Sequence, residues 1–390
     1  KTRAREQRKQ CCLAWLDVSN AFGAVPHTAI HQALSAAKVG SAFQELVHDL
    51  YTDSTTQILC NNDKTEEINI LSGVKQGCPL SGILFNLSID PTIRRIQGSA
   101  EDHKILAFAD DVCLLADSPA ELQAQLNKVS EDLKRISLSL NPRKSFAFHL
   151  ACNTPVGTRD SDFFLDNERL QTIQEFDSHK FLGVPVGYNP VSDLNNLSEI
   201  AELGIRLATS LLAPWQRIDA LKCFFYPAMQ FAMRTAQYEK KHFDAIDNAI
   251  RKEIKKILYL PVTASNKFIY GSRKMGCLAI PIAAEESDLN RIDTAFKLLS
   301  SRDDLTREKA LKQLKDTVRF RGRRFPTDED IGKFLSGEHL DEFLPRSNRF
   351  SSIWNMALES SRRLKVSWSF DNDSARIHFQ DLEPIPDEEL

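Results

Sequence analysis

Read for the spacing of its apolar and polar positions, the chain changes character about half-way along. Cys11 to Leu16 is a short apolar run that ends at Asp17, between a basic segment (Lys1, Arg3, Arg5, Arg8, Lys9) and a polar turn, the length and setting of a buried strand. From Thr28 to about Tyr51 the positions Ile30, Leu34, Phe43, Leu46, Val47 and Leu50 recur at helical spacing, and Gly40 divides them into two helices. Thr55 to Leu71 carries a polar turn at Asn61-Asn62-Asp63 between β-compatible runs, a hairpin signal. Ser81 to Arg95 reads as a helix in which Pro91 predicts a kink or break. Ile105–Phe108 and Val112–Leu115 flank Ala109-Asp110-Asp111, which puts an acidic pair at a tight hairpin turn. Leu122, Leu126, Val129, Leu133 and Ile136 then form one helix face that must pack on something flat. Asn141-Pro142 stops the next segment, and Phe146, Phe148 and Leu150 alternate as in an amphipathic strand.

Residues 11–150 therefore predict an α+β fold with helices on one face of an antiparallel sheet. Beyond about residue 190 helical periodicity takes over, as at Phe243, Ile246, Ile250, Ile254 and Ile257 before Pro261, and predicts a helical second domain. With 390 residues, 42% hydrophobic and 26% charged, the chain is a folded protein with room for two or three domains. Its longest apolar runs are strand-sized, short of the roughly 18–20 residues that span a bilayer, so no membrane partner is expected. Eight scattered cysteines without a C-x-x-C pair argue against a zinc ribbon and a secreted disulfide framework, and point to a reducing, intracellular setting. The net charge of -3 means that any nucleic acid must be met by a local basic lining.

The candidate chemistry lies in three carboxylates at the ends of short apolar strands: Asp17, Asp110 and Asp111. If their strands are neighbours, the acids converge at one sheet edge, where mutual repulsion is best relieved by divalent cations. Oxygen ligands suit magnesium or manganese, and two such ions about 4 Å apart can drive an in-line attack of a 3′-hydroxyl on a phosphate. Taken one at a time, the same residues read more readily as a polar turn and a strand terminator.

The order of the motifs decides between these. Leu16-Asp17-Val18-Ser19-Asn20-Ala21-Phe22, Gly73-Val74-Lys75-Gln76-Gly77-Cys78-Pro79-Leu80-Ser81, Phe108-Ala109-Asp110-Asp111, Asn141-Pro142-Arg143-Lys144-Ser145 and Phe181-Leu182-Gly183 together resemble the five motifs of non-LTR retrotransposon reverse transcriptases. Pro214-Trp215-Gln216-Arg217 and Gly276-Cys277-Leu278-Ala279-Ile280-Pro281 are similar to thumb segments of the rDNA-inserting group that carries a restriction-like endonuclease. Gly23 stands where many relatives have an acid, Gly82 where a second proline is frequent, and Cys277 and Ala279 where glycines are common.

The resemblance implies a polymerase palm with part of the fingers over 1–185, a helical thumb over 186–300, and a connection or linker of unknown role over 301–390. It implies an RNA-directed DNA polymerase that works with two metal ions on an RNA template, a DNA primer or target DNA, and deoxynucleoside triphosphates, in target-primed synthesis within the nucleus. Asp17, Asp110 and Asp111 with the Val18 carbonyl would be the metal ligands, and Lys144 would aid the leaving pyrophosphate. Phe22 would sense the sugar 2′ position, while Gln76, Gly77 and Ala109 would lie close to nucleotide or template. A core role for Phe22 and a solvated one for Lys144 stay open on the residues alone. Arg251, Lys252, Lys255 and Lys256, opposite the isoleucines of their helix, are expected to track a nucleic-acid backbone, with a solvated face as the alternative. Arg319, Arg321, Arg323 and Arg324, interleaved with Phe320 and Phe325, are a second candidate grip, or part of a linker. The resemblance places further fingers before Lys1 and an endonuclease beyond Leu390, which leaves open whether the chain polymerises by itself. Two rivals remain: a non-catalytic RNA-binding protein derived from a retroelement, and an intron-maturase-like reverse transcriptase. The host, the RNA and the oligomeric state are not legible.

Overall fold

The computed structural model describes residues 10–60, 63–99, 103–151, 156–188, 194–236, 238–338, 340–344 and 352–379, and the chain divides into two compact units, Lys1–Pro190 and Val191–Leu390. The first is built on a sheet of β1 (Cys11–Asp17), β2 (Ile105–Phe108), β3 (Asp111–Ala116), β4 (Phe146–Ala151) and β5 (Gln171–Thr172), in the order β5-β4-β1-β3-β2. Gly157–Thr158 pairs with β4 as well, and every pairing is antiparallel except β5 with β4.

Period-two alternation sorts the side chains of these strands onto two faces. Cys12, Ala14, Leu16, Val112, Leu114 and Ala147 join one buried core with residues of α1 (Ala21–Ala24), α2 (His27–Ala36), α3 (Ser41–Tyr51), α4 (Ser81–Gln97) and α5 (Pro119–Arg135). The helices thus share one face, as the pattern predicts. Trp15, Cys113, Phe148 and Leu150 point the other way, where Phe181, Val186 and Tyr188 cover them from a hairpin of β6 (Ser178–Phe181) and β7 (Val184–Gly187). Strand β4 is therefore buried on both sides from Ala147 onward, a correction to the amphipathic reading of Phe146, Phe148 and Leu150.

Local signals explain the element ends. The Ser118 side chain accepts the Glu121 N–H, Glu121 accepts the Asp117 N–H, and Pro119 opens α5 where its missing donor costs nothing. Pro91 does not end α4, which runs on to Gln97. In the segment after α3, Leu59–Cys60 pairs with Asp63–Lys64, while Asn61 and Asn62 of the expected turn lie outside the described residues.

The second unit contains α6 (Leu194–Ala208), α7 (Pro214–Ala220), α8 (Tyr226–Thr235), α9 (Lys240–Ile257), α10 (Lys267–Tyr270), α11 (Ala283–Leu299), α12 (Asp304–Gly322), α13 (Asp328–Ser336) and α14 (Ile353–Leu364). A π-helical turn, Leu221–Phe225, joins α7 to α8 just before Pro227, whose missing N–H disturbs the regular ladder. The five apolar positions of α9 form one buried stripe, as their spacing predicts. The C-terminal part has a core of its own. Leu314, Ile331, Phe334 and Trp354 are fully buried in a separate core, each contributing about 1.5–3 kcal/mol that a solvated linker lacks. This core is closed by a hairpin of β8 (Val366–Asp371) and β9 (Ser374–Phe379), which turns on Asn372 and Asp373, both at positive φ. The acidic residues Asp381, Glu383, Asp387, Glu388 and Glu389, for which the sequence offers no functional reading, lie outside the described residues.

Candidate active site

Register brings the acids together. Asp17 is the Cα partner of Asp111 across β1 and β3, and directly opposed residues project on the same face. Trp15 and Cys113 share that side, so both acids stand on the face away from the helices. Asp110 occupies the two-residue turn between β2 and β3 beside Ala109, which takes a left-handed φ of 53°. The hairpin signal in the sequence thus becomes a sharp reversal that sets Asp110 at the sheet end. Asp17, Val18, Phe22, Asp110, Asn141 and Lys144 line one cleft of about 390 Å³.

Three local devices hold this cleft. Ser145, fully buried, accepts the Asp17 N–H at 3.1 Å and donates to the Asn141 carbonyl at 2.7 Å, while the Asn141 N–H donates to the Asp17 carbonyl at 2.8 Å. The turn that carries Lys144 is in this way pinned to the end of β1. The bonds around the Val18–Leu140 bridge run from Ser19 N–H to the Ser139 carbonyl and from Asn141 N–H to the Asp17 carbonyl, which leaves the Val18 carbonyl out of the ladder. Phe22 rests on the fully buried Phe85, with ring centroids 4.6 Å apart, so one ring serves both the core and the cleft wall.

Burial holds the Asp111 carboxyl above the ordinary carboxylate range, and the nearby Asp110 and Asp17 charges add to this, while His179 opposes it. His179 stacks on Phe146 at 3.9 Å, and its own pKa is lowered by burial. Among the described residues no three His, Cys, Asp or Glu side chains come close enough to form a metal-binding group. The residues that line the cleft include two carboxylates, Asp17 and Asp110, and Val18, whose carbonyl takes no part in the bridge to Leu140. All three are hard oxygen donors, and a magnesium-type ion takes one or two carboxylates and fills its other positions with water and substrate phosphates.

Gln76 and Gly77 do not line this cleft. They lie on an exposed loop where Gly77 has a φ of 83° with nothing within 4 Å of an added Cβ, so the glycine serves the backbone path and leaves open space above it.

The expected nucleic-acid cations are only partly available. Lys255 is buried and donates to the Val262 and Ala264 carbonyls at 2.7 and 2.8 Å, a correction to its placement on the outer face. Arg251 donates to the Tyr270 hydroxyl at 2.8 Å, and Lys256 pairs with Glu253 at 2.7 Å. Lys252 is exposed and makes no ion pair among the described residues. Arg321 is spent on the Leu344 carbonyl and Asn355, and Arg324 on Asp330 and Glu342. Arg319 covers the exposed Phe325 ring at 4.1 Å, and Arg323 caps α12 in the open. Sequence reading missed Lys309 and Lys312. At 100° per residue they fall with Arg319 and Arg323 in one sector of about 80°, beside the exposed Phe320. None of these four cations makes an ion pair among the described residues.

Comparison with known proteins points to one family. Residues 1–186 match the family model described as reverse transcriptase (RNA-dependent DNA polymerase). The Pol polyprotein of the type-2 retrotransposable element R2DM of Drosophila melanogaster is 28% identical over 285 residues, covering 70% of this chain and 27% of that protein. Over residues 1–186 and beyond, the chain is similar to the reverse transcriptases of non-LTR retrotransposons. Pol polyproteins of type-1 elements R2 agree: that of Nasonia vitripennis is 29% identical over 292 residues and that of Bradysia coprophila 30% over 291, covering 71% of this chain and 28% and 33% of theirs. The chain thus spans about a quarter to a third of the length of these relatives. Among solved structures, apo telomerase from Candida tropicalis matches with 11% identity and a TM-score of 0.37, over 79% of this chain and 53% of that one. Reverse transcriptases as a family are generally metal-dependent. No helix among the described residues is long and apolar enough to cross a membrane.

Proposed function

We propose that the chain is the polymerising part of an RNA-directed DNA polymerase, which extends a primer 3′-hydroxyl along an RNA template by nucleotidyl transfer from deoxynucleoside triphosphates. The observation that carries this is the convergence of Asp17 and Asp110, from stretches more than 90 residues apart, on one cleft walled by Phe22 and Lys144. Two magnesium or manganese ions, when bound, supply the Lewis acidity that activates the attacking hydroxyl and neutralises the phosphates. Asp17, Asp110 and the Val18 carbonyl would hold them, with Asp111 beside the primer end. The Phe22 ring, backed by Phe85, restricts the space at the sugar 2′ position and favours deoxynucleotides. Lys144 offers its ammonium to the departing pyrophosphate.

Lys252 and the stripe of Lys309, Lys312, Arg319 and Arg323 replace the internally committed cations as contacts for template, primer or target DNA. Target-primed synthesis at chromosomal DNA, and hence a nuclear site of action, follows from this reading. The test is extension of a DNA primer on an RNA template with magnesium and the four deoxynucleotides. Asp110→Ala abolishes extension and leaves RNA binding intact if the proposal holds; extension by the variant at the wild-type rate refutes it.

A further inference from the structure

The loop of Gln76 and Gly77 is closed by one turn bond, from the Cys78 N–H to the Lys75 carbonyl at 3.2 Å, and the three residues before it are bonded throughout. The Gly73 N–H donates to the Val25 carbonyl at 2.8 Å and the Val74 N–H to the Phe22 carbonyl at 2.7 Å, which ties the loop base to the segment that carries the cleft ring. Gly73 has a φ of 91°, and an added Cβ would meet the Gly23 carbonyl at 2.9 Å, so only glycine allows this close approach. Two side chains complete the anchorage. The His27 Nε2–H donates to the Gly73 carbonyl at 3.1 Å, and the Lys75 N–H donates to the Tyr51 hydroxyl at 3.3 Å. Their rings are 4.7 Å apart, Tyr51 is buried at 4% exposure, and the Lys75 ammonium lies 5.8 Å from the centre of the Tyr51 ring. On the far side the Ser81 hydroxyl donates to the Lys75 carbonyl at 2.5 Å.

We propose that His27 and Tyr51 are positioning residues, a clamp that sets the height at which Gln76-Gly77 meets the template or incoming nucleotide. The clamp touches neither metal ligand nor Phe22 side chain; it acts through the backbone of Gly73 and Lys75. This rests on the polymerase reading of the cleft, but one part of its test does not. Burial argues that the Tyr51 ring is there for the fold, whereas a phenol oxygen spent on a loop amide is not needed for packing. Tyr51→Phe removes that oxygen and keeps the ring.

Two measurements decide it, both on the purified chain. In limited trypsin digestion under native conditions, cleavage after Lys75 relative to cleavage after the exposed Lys252 rises about 2- to 10-fold in Tyr51→Phe, the effect of losing one hydrogen bond. His27→Ala does the same, and His27→Gln, which keeps an N–H donor, restores part of the protection. In primer extension, KM for the deoxynucleotide rises by a similar factor while kcat stays within twofold. Unchanged cleavage after Lys75 in both variants overturns the proposal, whatever the polymerase does. Faster cleavage with an unchanged KM overturns the positioning role. Absence of extension by the wild-type chain counts against the polymerase reading of the isolated chain, and the digestion then decides whether the clamp exists.

Discussion

Replacing Ser145 with alanine tests how firmly the cleft is tied together. The side chain is fully buried, and its loss removes the acceptor of the Asp17 N–H and the donor to the Asn141 carbonyl. The carbonyl keeps the Lys144 and Ser145 amides at 3.3 and 3.1 Å, so the cost concentrates on the Asp17 amide. An unsatisfied buried donor costs about 1–3 kcal/mol. Asp17 is only half-buried, water can reach part of it, and the lower half of that range, about 1–2 kcal/mol, applies. For a unit of this size the melting temperature falls about 2–8 °C. Urea titration followed through the fluorescence of Trp15, two residues from Asp17 on the same strand, reads the change. A loss below about 0.5 kcal/mol, with an unchanged slope, refutes the view that this hydroxyl joins the acid to the Lys144 turn.

Other consequences follow from the second unit. Asp288 is fully buried and binds Arg363, Ser360 and Lys240, with Arg291 at 4.0 Å, so Asp288→Ala strands three cations and costs about 3–5 kcal/mol by thermal unfolding. Although burial opposes it, the bonds to Arg363, Ser360 and Lys240 hold its pKa below the ordinary value. Its contribution is therefore complete above the unfolded value near pH 4 and is lost as the pH falls through the lower folded value, an acid sensitivity the alanine variant lacks. Ala279 sits at a φ of 48°, where an L side chain is strained by about 1–2 kcal/mol; Ala279→Gly raises stability by up to about 1 kcal/mol after the entropic cost of glycine, seen as a higher melting temperature. Neutralising Lys309, Lys312, Arg319 and Arg323 together reduces the slope of log K against log salt for single-stranded RNA by up to about 3, and an unchanged slope removes the stripe from the binding surface.

Much of this was readable from spacing. The helix faces and the β2–β3 turn follow from periodicities that the tertiary fold had no reason to override, whereas the convergence of Asp17 with Asp110 was conditional on β1 and β3 being neighbours, which spacing alone does not give. Three features were not legible, each for a physical reason. The destiny of Lys255, Arg321 and Arg324 depends on which carbonyls and acids fold back onto them, and a helical wheel shows only the sector in which a residue lies. The buried second face of β4 needed knowledge of the β6–β7 hairpin far along the chain. The C-terminal core hid behind polar helices, although Asn372-Asp373 between two β-compatible runs was an available turn signal. Ser145 lay in plain view within a motif, but its hydroxyl gains meaning only when Leu140 pairs with Val18 and brings the turn back to β1.

The central claim is that Asp17 and Asp110 hold metal at one point in space. Ferrous iron with ascorbate, which generates hydroxyl radicals that cut the backbone beside a bound ion, tests it on the wild-type chain without requiring polymerisation. The account predicts paired cuts near Asp17–Val18 and near Asp110, both suppressed together by magnesium. Cuts at one of these segments without the other, or cuts that magnesium does not suppress, would contradict it.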